Sequence, residues 1–441
     1  MNKIISLLVL LMLWNCSFSQ VKTEYWNNKN LSGQASKKSE GEYKDSLQSG
    51  KWTYWYENGQ KWCEGIYKEG EKTGFWAYWY EGGKKWSEIH YDNGVNISWF
   101  ETGQKEKEGK ILDGKMHGKW TIWYPNGKLK EETNYKNGLK EGKSISFYAD
   151  SVMEFQGTFL NDSLQGYATW WLKNGTKEME GKSIKGMQDS IWTFYHDNGK
   201  VGSKGKFIKG QQDSTWTYWY ETGEKWKQGN YIKGKKEGLW TTWYESGTKE
   251  HEGAFADGKE SGIWTSWYKN GQEKTIGTFK EGLMDGLWTG WYEGGKKKYE
   301  INYLNNLKDG SAVYWYEKGN KMYQGSYKSG AMNGAWTNWY ETGLTQDAGY
   351  YKNDKKEGSW VFYDGYGVIV KAQQFTNGLP NGNWTTYYAN GQKSAQGCNL
   401  NGYKEGKWTY WDEKGTVIYM VTYKKGKKKS EYPKPKEDVK K

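Results

Sequence analysis

Histidine is the first place to look for acid–base or metal chemistry, and this chain has four: His90, His117, His196 and His251. They fall at unrelated points of the sequence, with no carboxylate or Cys at ligand spacing, so no metal centre is expected from them. Carboxylates recur at Glu57, Glu81, Glu101, Glu221, Glu245, Glu293 and Glu341, each one place before a turn. A glycosidase needs two carboxylates at one unique place, one of them with a raised pKa. Copies spread along the chain read instead as partners of Lys or as solvation of strand edges. No Gly-rich loop leads into a helix with a phosphate-cradling Lys-Ser/Thr, and no Ser, His and Asp set stands out. Catalytic, cofactor-binding and metal-binding residues are therefore all expected to be none. Binding chemistry has a better candidate in the aromatic rows Trp219, Trp243, Trp267, Trp291 and Tyr220, Tyr244, Tyr268, Tyr292. An exposed face of such rings suits sugar faces, peptides or another sheet; the competing reading makes the rings the core itself.

Those rows exist because the sequence repeats. With the first Trp of Gly-x-Trp-Thr-x-Trp-Tyr as anchor, copies fall at Trp52, Trp76, Asn96, Trp120, Ser144, Ala168, Trp192, Trp216, Trp240, Trp264, Trp288, Ala312, Trp336, Trp360, Trp384 and Trp408. All intervals are 24 residues except Trp76 to Asn96, which is 20. Such regularity means one supersecondary unit copied along an axis, each unit buried mainly against its neighbours.

Each unit reads as a β-hairpin. In Lys51 to Tyr67, β-branched and aromatic residues flank Asn58-Gly59, a signal for a two-residue type I′ turn. That turn predicts Tyr56 opposite Lys61, Trp55 opposite Trp62, Trp52 opposite Gly65 and Gly50 opposite Tyr67, with both large rings lying over glycine. Alternation puts Trp52, Tyr56, Gly65 and Tyr67 on one face, and Thr53, Trp55 and Glu64 on the other. A second Gly turn, Lys68 to Gly74, returns the chain to the next anchor. The fold expected is all-β: an elongated single-layer antiparallel β-meander of about sixteen hairpin repeats. The array should run over 49–425, preceded by an irregular segment and N-terminal half-repeat cap at 21–48, and followed by a disordered Lys-rich tail at 426–441. The half repeat is Glu40-Gly41-Glu42-Tyr43.

Composition agrees with a thin, partly wet structure. Apolar residues are 35%, yet there are 30 Trp and 37 Tyr, so a large aliphatic core and a disordered chain are both excluded. Net charge is +12, and all 64 basic residues are Lys. Without Arg, bidentate nucleic-acid recognition is not expected; Lys on strand edges discourages sheet-to-sheet aggregation. Residues 1–20 carry a Lys, an apolar run over 4–14 and small residues after it, the pattern of a secretory signal peptide. Ser17-x-Ser19 fits ordinary cleavage, whereas Leu13-Trp14-Asn15-Cys16 resembles a lipobox with Cys16 as the lipidated residue. The run is too short to span a membrane. Cys63 and Cys398 sit in repeats near opposite ends of the array, and no disulfide is expected between them.

The spacing Gly-x-Trp-x-x-Trp-Tyr-x-x-Gly-x-x-x-x-x-Gly-x-Tyr-x-x-Gly resembles the MORN repeat, and in particular a bacterial variant typified by YwqK-type proteins, often labelled antitoxins. The resemblance implies an elongated antiparallel strip and a role in protein contact, assembly or membrane-proximal scaffolding. The expectation is an exported, non-enzymatic scaffold that meets a protein or cell-envelope polymer through its Trp/Tyr face. Its alternatives are a cell-envelope glycan-binding protein and an antitoxin or immunity-like protein.

Overall fold

A computed structural model describes residues 19–29, 33 and 35–432. Those residues form 37 β-strands and no helix. The chain divides into an N-terminal unit ending at Gln211 and a C-terminal unit beginning at Gln212. In each, every strand pairs antiparallel with its neighbours in sequence, so the sheet is an open meander one layer thick. The first unit runs from strand Gln20–Lys29 to strand Val201–Ile208, the second from Gln211–Trp219 to Lys427–Tyr432.

The hairpin turn differs from the predicted one, and the difference is instructive. Gly59 N donates to Tyr56 O at 3.0 Å, and Tyr56 N donates to Gln60 O at 2.8 Å. Gly59 has φ of +85°, while Asn58 is not in the left-handed region. This is a type I turn closed by a left-handed Gly, a three-residue loop rather than a two-residue one. The extra residue is absorbed at once by a bulge. Trp55 pairs with Lys61, but Tyr54 pairs with Cys63, leaving Trp62 over. Beyond the bulge the predicted register returns, with Thr53 opposite Glu64, Trp52 opposite Gly65 and Gly50 opposite Tyr67. The pairings expected for Tyr56 and Trp55 are therefore off by one. The type I′ geometry belongs to the other loop, where Glu69 and Gly70 have φ of +52° and +84°.

Asn is favoured in the first turn for its side chain, not for φ. Asn58 Oδ1 accepts from Gln60 N at 2.9 Å, and its Nδ2 donates to Glu81 O of the next unit at 3.1 Å. Asn126, Asn174, Asn270 and Asn390 make the same link, to Ala149, Asp197, Glu293 and Glu413. The second loops are stitched as well: Gly70 N donates to Gln48 O and Gly258 N to Lys236 O.

The strand entering each anchor Trp carries a second irregularity. Ile66 pairs with Thr73 and Glu64 with Ala77, so Gly74, Phe75 and Trp76 stand opposite Gly65 alone. Gly74 takes φ of +58° there. Such bulges bend and re-aim a strand.

The shortened unit keeps its sheet. Strands Lys85–His90 and Gly94–Trp99 still pair through Ser87 to Ser98 and Glu88 to Ile97. Asn96 Oδ1 accepts from His90 N across the trimmed loop.

Two boundary expectations are corrected. The segment expected to be irregular contains strand Gln20–Lys29, which pairs with the half-repeat strand Ala35–Lys44. Its polar sequence hid it, but it covers an open edge, and Trp26 Nε1 donates to Trp55 O at 3.2 Å. At the other end the expected disorder gives way to strand Lys427–Tyr432, paired with Val417–Lys424. The last repeat offers a free edge, and Lys428 pairs with Glu431 along the added strand. The remaining tail, residues 433–441, and most of the expected signal peptide, residues 1–18 with Cys16, lie outside the described residues.

Candidate functional site

The sheet has two chemically distinct faces, and the anchor face is a core. Trp52, Trp76, Trp192, Trp216, Trp360 and Trp408 are all at most 3% exposed. Anchor rings lie flat on a Gly of the preceding strand: a Cβ placed on Gly65 would come within 2.1 Å of Trp76, and one on Gly253 within 2.2 Å of Trp264. The rings do lie over glycines, but Trp52 rests on Gly41, eleven residues back, not on its later partner Gly65. Tyr67 does not cover Gly50; it meets Trp52 and Trp76 edge-on, at 5.9 and 5.0 Å. Trp76 Nε1 donates to Ile66 O at 3.0 Å and Trp264 Nε1 to Ala254 O at 3.0 Å, serving the carbonyl at the bulge. Rings then alternate edge to face, as in Tyr231, Trp240, Phe255, Trp264, Phe279 and Trp288.

Gly and Trp behave as a pair. Where the anchor is Asn96, Ser144 or Ala312, the seat is Ile89, Thr133 or Ile301. Ala168 keeps its Gly157, and Phe155 and Leu164 close over the seat instead. Where Gln373 occupies the seat, it stands opposite Trp384, which is half-buried and lies 4.8 Å from Trp408.

The opposite face holds the predicted Trp row. Trp219, Trp243, Trp267 and Trp291 are half-buried there. Lys225 Nζ lies 5.8 Å from the Trp243 ring and Lys249 Nζ 5.5 Å from Trp267, within cation–π range. Lys249 is held in place by Glu252 at 2.7 Å, and the same Lys–Glu pairing recurs at Lys61 and Glu64. Beside the Trp row stand residues that the sequence reading missed. Leu239, Ile263 and Leu287 are 59%, 66% and 51% exposed. They immediately precede anchor Trp residues and lie in the entering bulge, which turns them away from the core. Their signal was legible as an apolar residue at the place where Trp52 has Lys51 and Trp120 has Lys119.

The predicted Tyr row belongs to the framework. Tyr220, Tyr244, Tyr268 and Tyr292 donate their hydroxyls to the backbone carbonyls of Trp243, Trp267, Trp291 and Trp315, at 2.8 to 2.9 Å. Burial, with Glu250 next in size, raises the pKa of Tyr220 and of Tyr244 above the ordinary phenol value. The Tyr row thus fixes the spacing of the Trp row one unit away.

Two clefts open on the anchor face of the N-terminal unit, at units without an anchor Trp. One, of about 300 Å³, lies among Tyr78, Trp86, Asn96, Ser98, Glu106 and Trp120. The other, of about 470 Å³, lies among Glu131, Lys140, Ser146, Glu154, Phe155 and Trp170.

The residues screened for chemistry stay apart. Among the described residues, no group of three His, Cys, Asp or Glu is placed to hold a metal ion. Turn carboxylates such as Glu81 and Glu293 contribute a backbone carbonyl to the inter-repeat link. Cys63 and Cys398 are free thiols. Burial pushes the Cys63 thiol up to about 11, which suppresses its thiolate.

Comparison with known proteins follows the same units. The family model described as a MORN repeat variant matches residues 48–69, 116–137, 284–305, 380–398 and 404–425. No curated protein matches the chain in sequence. Solved structures that resemble it include the crystal structure of TcdB2-TccC3-TEV, at 10% identity and a TM-score of 0.14 over 91% of this chain and 23% of that one. The Photorhabdus luminescens Tc holotoxin pore resembles it at 11% identity and a TM-score of 0.15, over 92% of this chain and 24% of that one. The chain thus spans about a quarter of the length of these structures.

Proposed function

Because five of its repeat units match the MORN repeat variant, we propose that the chain is an exported, non-catalytic scaffold that binds a protein partner through the Trp row opposite its core. One observation carries this reading: Leu239, Ile263 and Leu287 stand exposed beside Trp243, Trp267 and Trp291, three times over at the period of the repeat. Scattered exposed apolar residues need no explanation, but rows of them beside flat rings suit an interface. Lys225 and Lys249 lie over the Trp243 and Trp267 rings, but Lys249 is paired with Glu252 and the next unit has Glu273 at that place, so the row is apolar and aromatic with mixed charge at its rim. Affinity capture from the cell envelope tests the proposal. A protein retained by the wild type and lost with Trp243→Ala plus Ile263→Asp supports it; equal recovery with the double variant rejects it.

A YwqK-type antitoxin or immunity role is a special case, in which the captured protein is a toxin encoded nearby. Export rests on the signal-like residues 1–20, and the mass of the mature N-terminus tests it. A chain beginning after Ser19 or Gln20 indicates ordinary cleavage, a lipid on Cys16 an anchored form, and an intact Met1 ends the export reading. A cell-envelope glycan is the second reading, favoured by the clefts on the anchor face.

A further inference from the structure

Four units lack an anchor Trp, and two of those share a second change. Counting from the anchor position, the units at Asn96 and Ser144 have Ser two places on and Glu ten places on; no other unit combines them. In both, the pair is formed. Ser98 Oγ donates to Glu106 Oε2 at 2.9 Å, and Ser146 Oγ donates to Glu154 Oε2 at 2.9 Å. Regular units put rings such as Tyr54, Tyr78 or Tyr218 at the Ser position and pack them beside the anchor. Losing both rings at once produces the two clefts.

We propose that these clefts are matched subsites for a neutral oligosaccharide, each taking a sugar ring where the sheet omits its own aromatic residues. The proposal deepens the glycan reading and is independent of the Trp row on the opposite face. The walls are apolar: Tyr78 and Trp120 border the first cleft, while Phe155 and Trp170, 5.1 Å apart, border the second. Their lining mixes donors and acceptors. Glu131 Oε1 accepts from Thr133 at 2.8 Å and from Lys140 at 3.3 Å, and Thr133 shares a hydrogen bond with Ser144. Apolar rings combined with fixed polar groups complement a molecule with hydrophobic faces and an equatorial rim of hydroxyls.

Other occupants fit less well. A Trp side chain from a partner cannot take the anchor pose, because Ile89 and Thr133 fill the seats that are Gly elsewhere. An anion meets Glu106 or Glu154, and a cation meets Lys107 or Lys140. The two clefts lie on strands Gly94–Trp99 and Leu139–Phe147, four strand steps apart within one unit. At ~4.8 Å per step they are separated by about 19 Å, a span that one oligosaccharide can bridge.

The test is calorimetric titration of the full chain with chitotriose, cellotriose and maltotriose. At least one should bind at two sites per chain. Glu106→Gln and Glu154→Gln should each weaken one site about tenfold, as expected for losing a hydrogen bond to a charged group. These conservative changes keep the side-chain volume, and circular dichroism checks that the sheet persists. Trp243→Ala, on the opposite face, should leave the titration unchanged. The proposal is overturned if none of the three sugars binds at millimolar concentration, or if the Gln double variant binds as the wild type does. It is also overturned if Trp243→Ala abolishes sugar binding. Failure to capture a protein through the Trp row would leave the subsites standing.

Discussion

The Gly beneath each anchor ring leaves no room for a side chain. Gly253→Val would place a Cβ within 2.2 Å of Trp264, and overpacking of this kind costs about 1–3 kcal/mol. Trp264→Ala should cost about 3–5 kcal/mol, the usual range for emptying a large aromatic site. The double variant Gly253→Val with Trp264→Ala should be less damaging than the two single costs together, because the chain already pairs a β-branched seat, Ile301, with Ala312. Denaturant midpoints of the four proteins measure that coupling, and strict additivity would refute the paired seat. The missing anchors were legible in the sequence, since Asn96, Ser144, Ala168 and Ala312 break the repeat. Their compensation eleven or seven residues earlier was not, because one Gly among 59 gives no sign of which ring it carries. Cys63 and Cys398 differ for the same reason of packing. Cys63 is 1% exposed and its thiol is raised to about 11, whereas Cys398 is exposed. A maleimide probe under native conditions should label Cys398 and reach Cys63 only after unfolding.

At the scale of the hairpin, register comes from turns and bulges that cancel. The three-residue turn alone would shift every pair, and Trp62 restores the count. Sequence arithmetic therefore recovered the pairs of Gly50, Trp52 and Thr53 and missed those next to the turn. Asn58-Gly59 signals a turn strongly, but its type depends on where Asn58 sends its amide, and that destination lies in the next unit. The Tyr ladder makes the same kind of link. Tyr244→Phe should cost about 1 kcal/mol by leaving the Trp267 carbonyl without its donor. Hydrogen exchange around Trp267 should rise, and no change there would mean that the link is decorative. The tyrosines also set a pH limit. Burial raises Tyr220, Tyr244 and Tyr268, and pushes Tyr299 up to about 12. A raised folded pKa gives stability that is full below the unfolded value of ~10 and is lost as pH rises through the folded value. Melting temperature should hold up to about pH 10 and fall between there and about pH 12, with phenolate absorbance appearing late in the folded protein.

Over the whole chain, stability is a sum of local terms, since strands meet only their sequence neighbours within each unit. Removing residues 241–264, one period of the C-terminal unit, should leave a folded sheet with near-UV circular dichroism of native form. Removing only 241–252 places a strand against the wrong partner and should abolish that signal over the affected repeats. Equal damage from the two deletions would count against a modular sheet. Unfolding should be broad and dependent on the probe rather than two-state. This level was the most legible, because a strict period needs no knowledge of side-chain contacts. The end strands were the least legible: strands Gln20–Lys29 and Lys427–Tyr432 lack the repeat signature and are held by the edge they cover.

The Gly–Trp seat also dictates the order in which mutation can carve a new cleft. Deleting the ring first leaves a hollow that neighbours can fill, as Phe155 and Leu164 do over Gly157. Enlarging the seat first sets a longer side chain against the ring, as where Gln373 stands opposite Trp384, which is half-buried and 4.8 Å from Trp408. Descent from a uniform tandem array is thus easier by one route than by the other, and relatives of this chain should contain more orphaned glycines than stranded indoles.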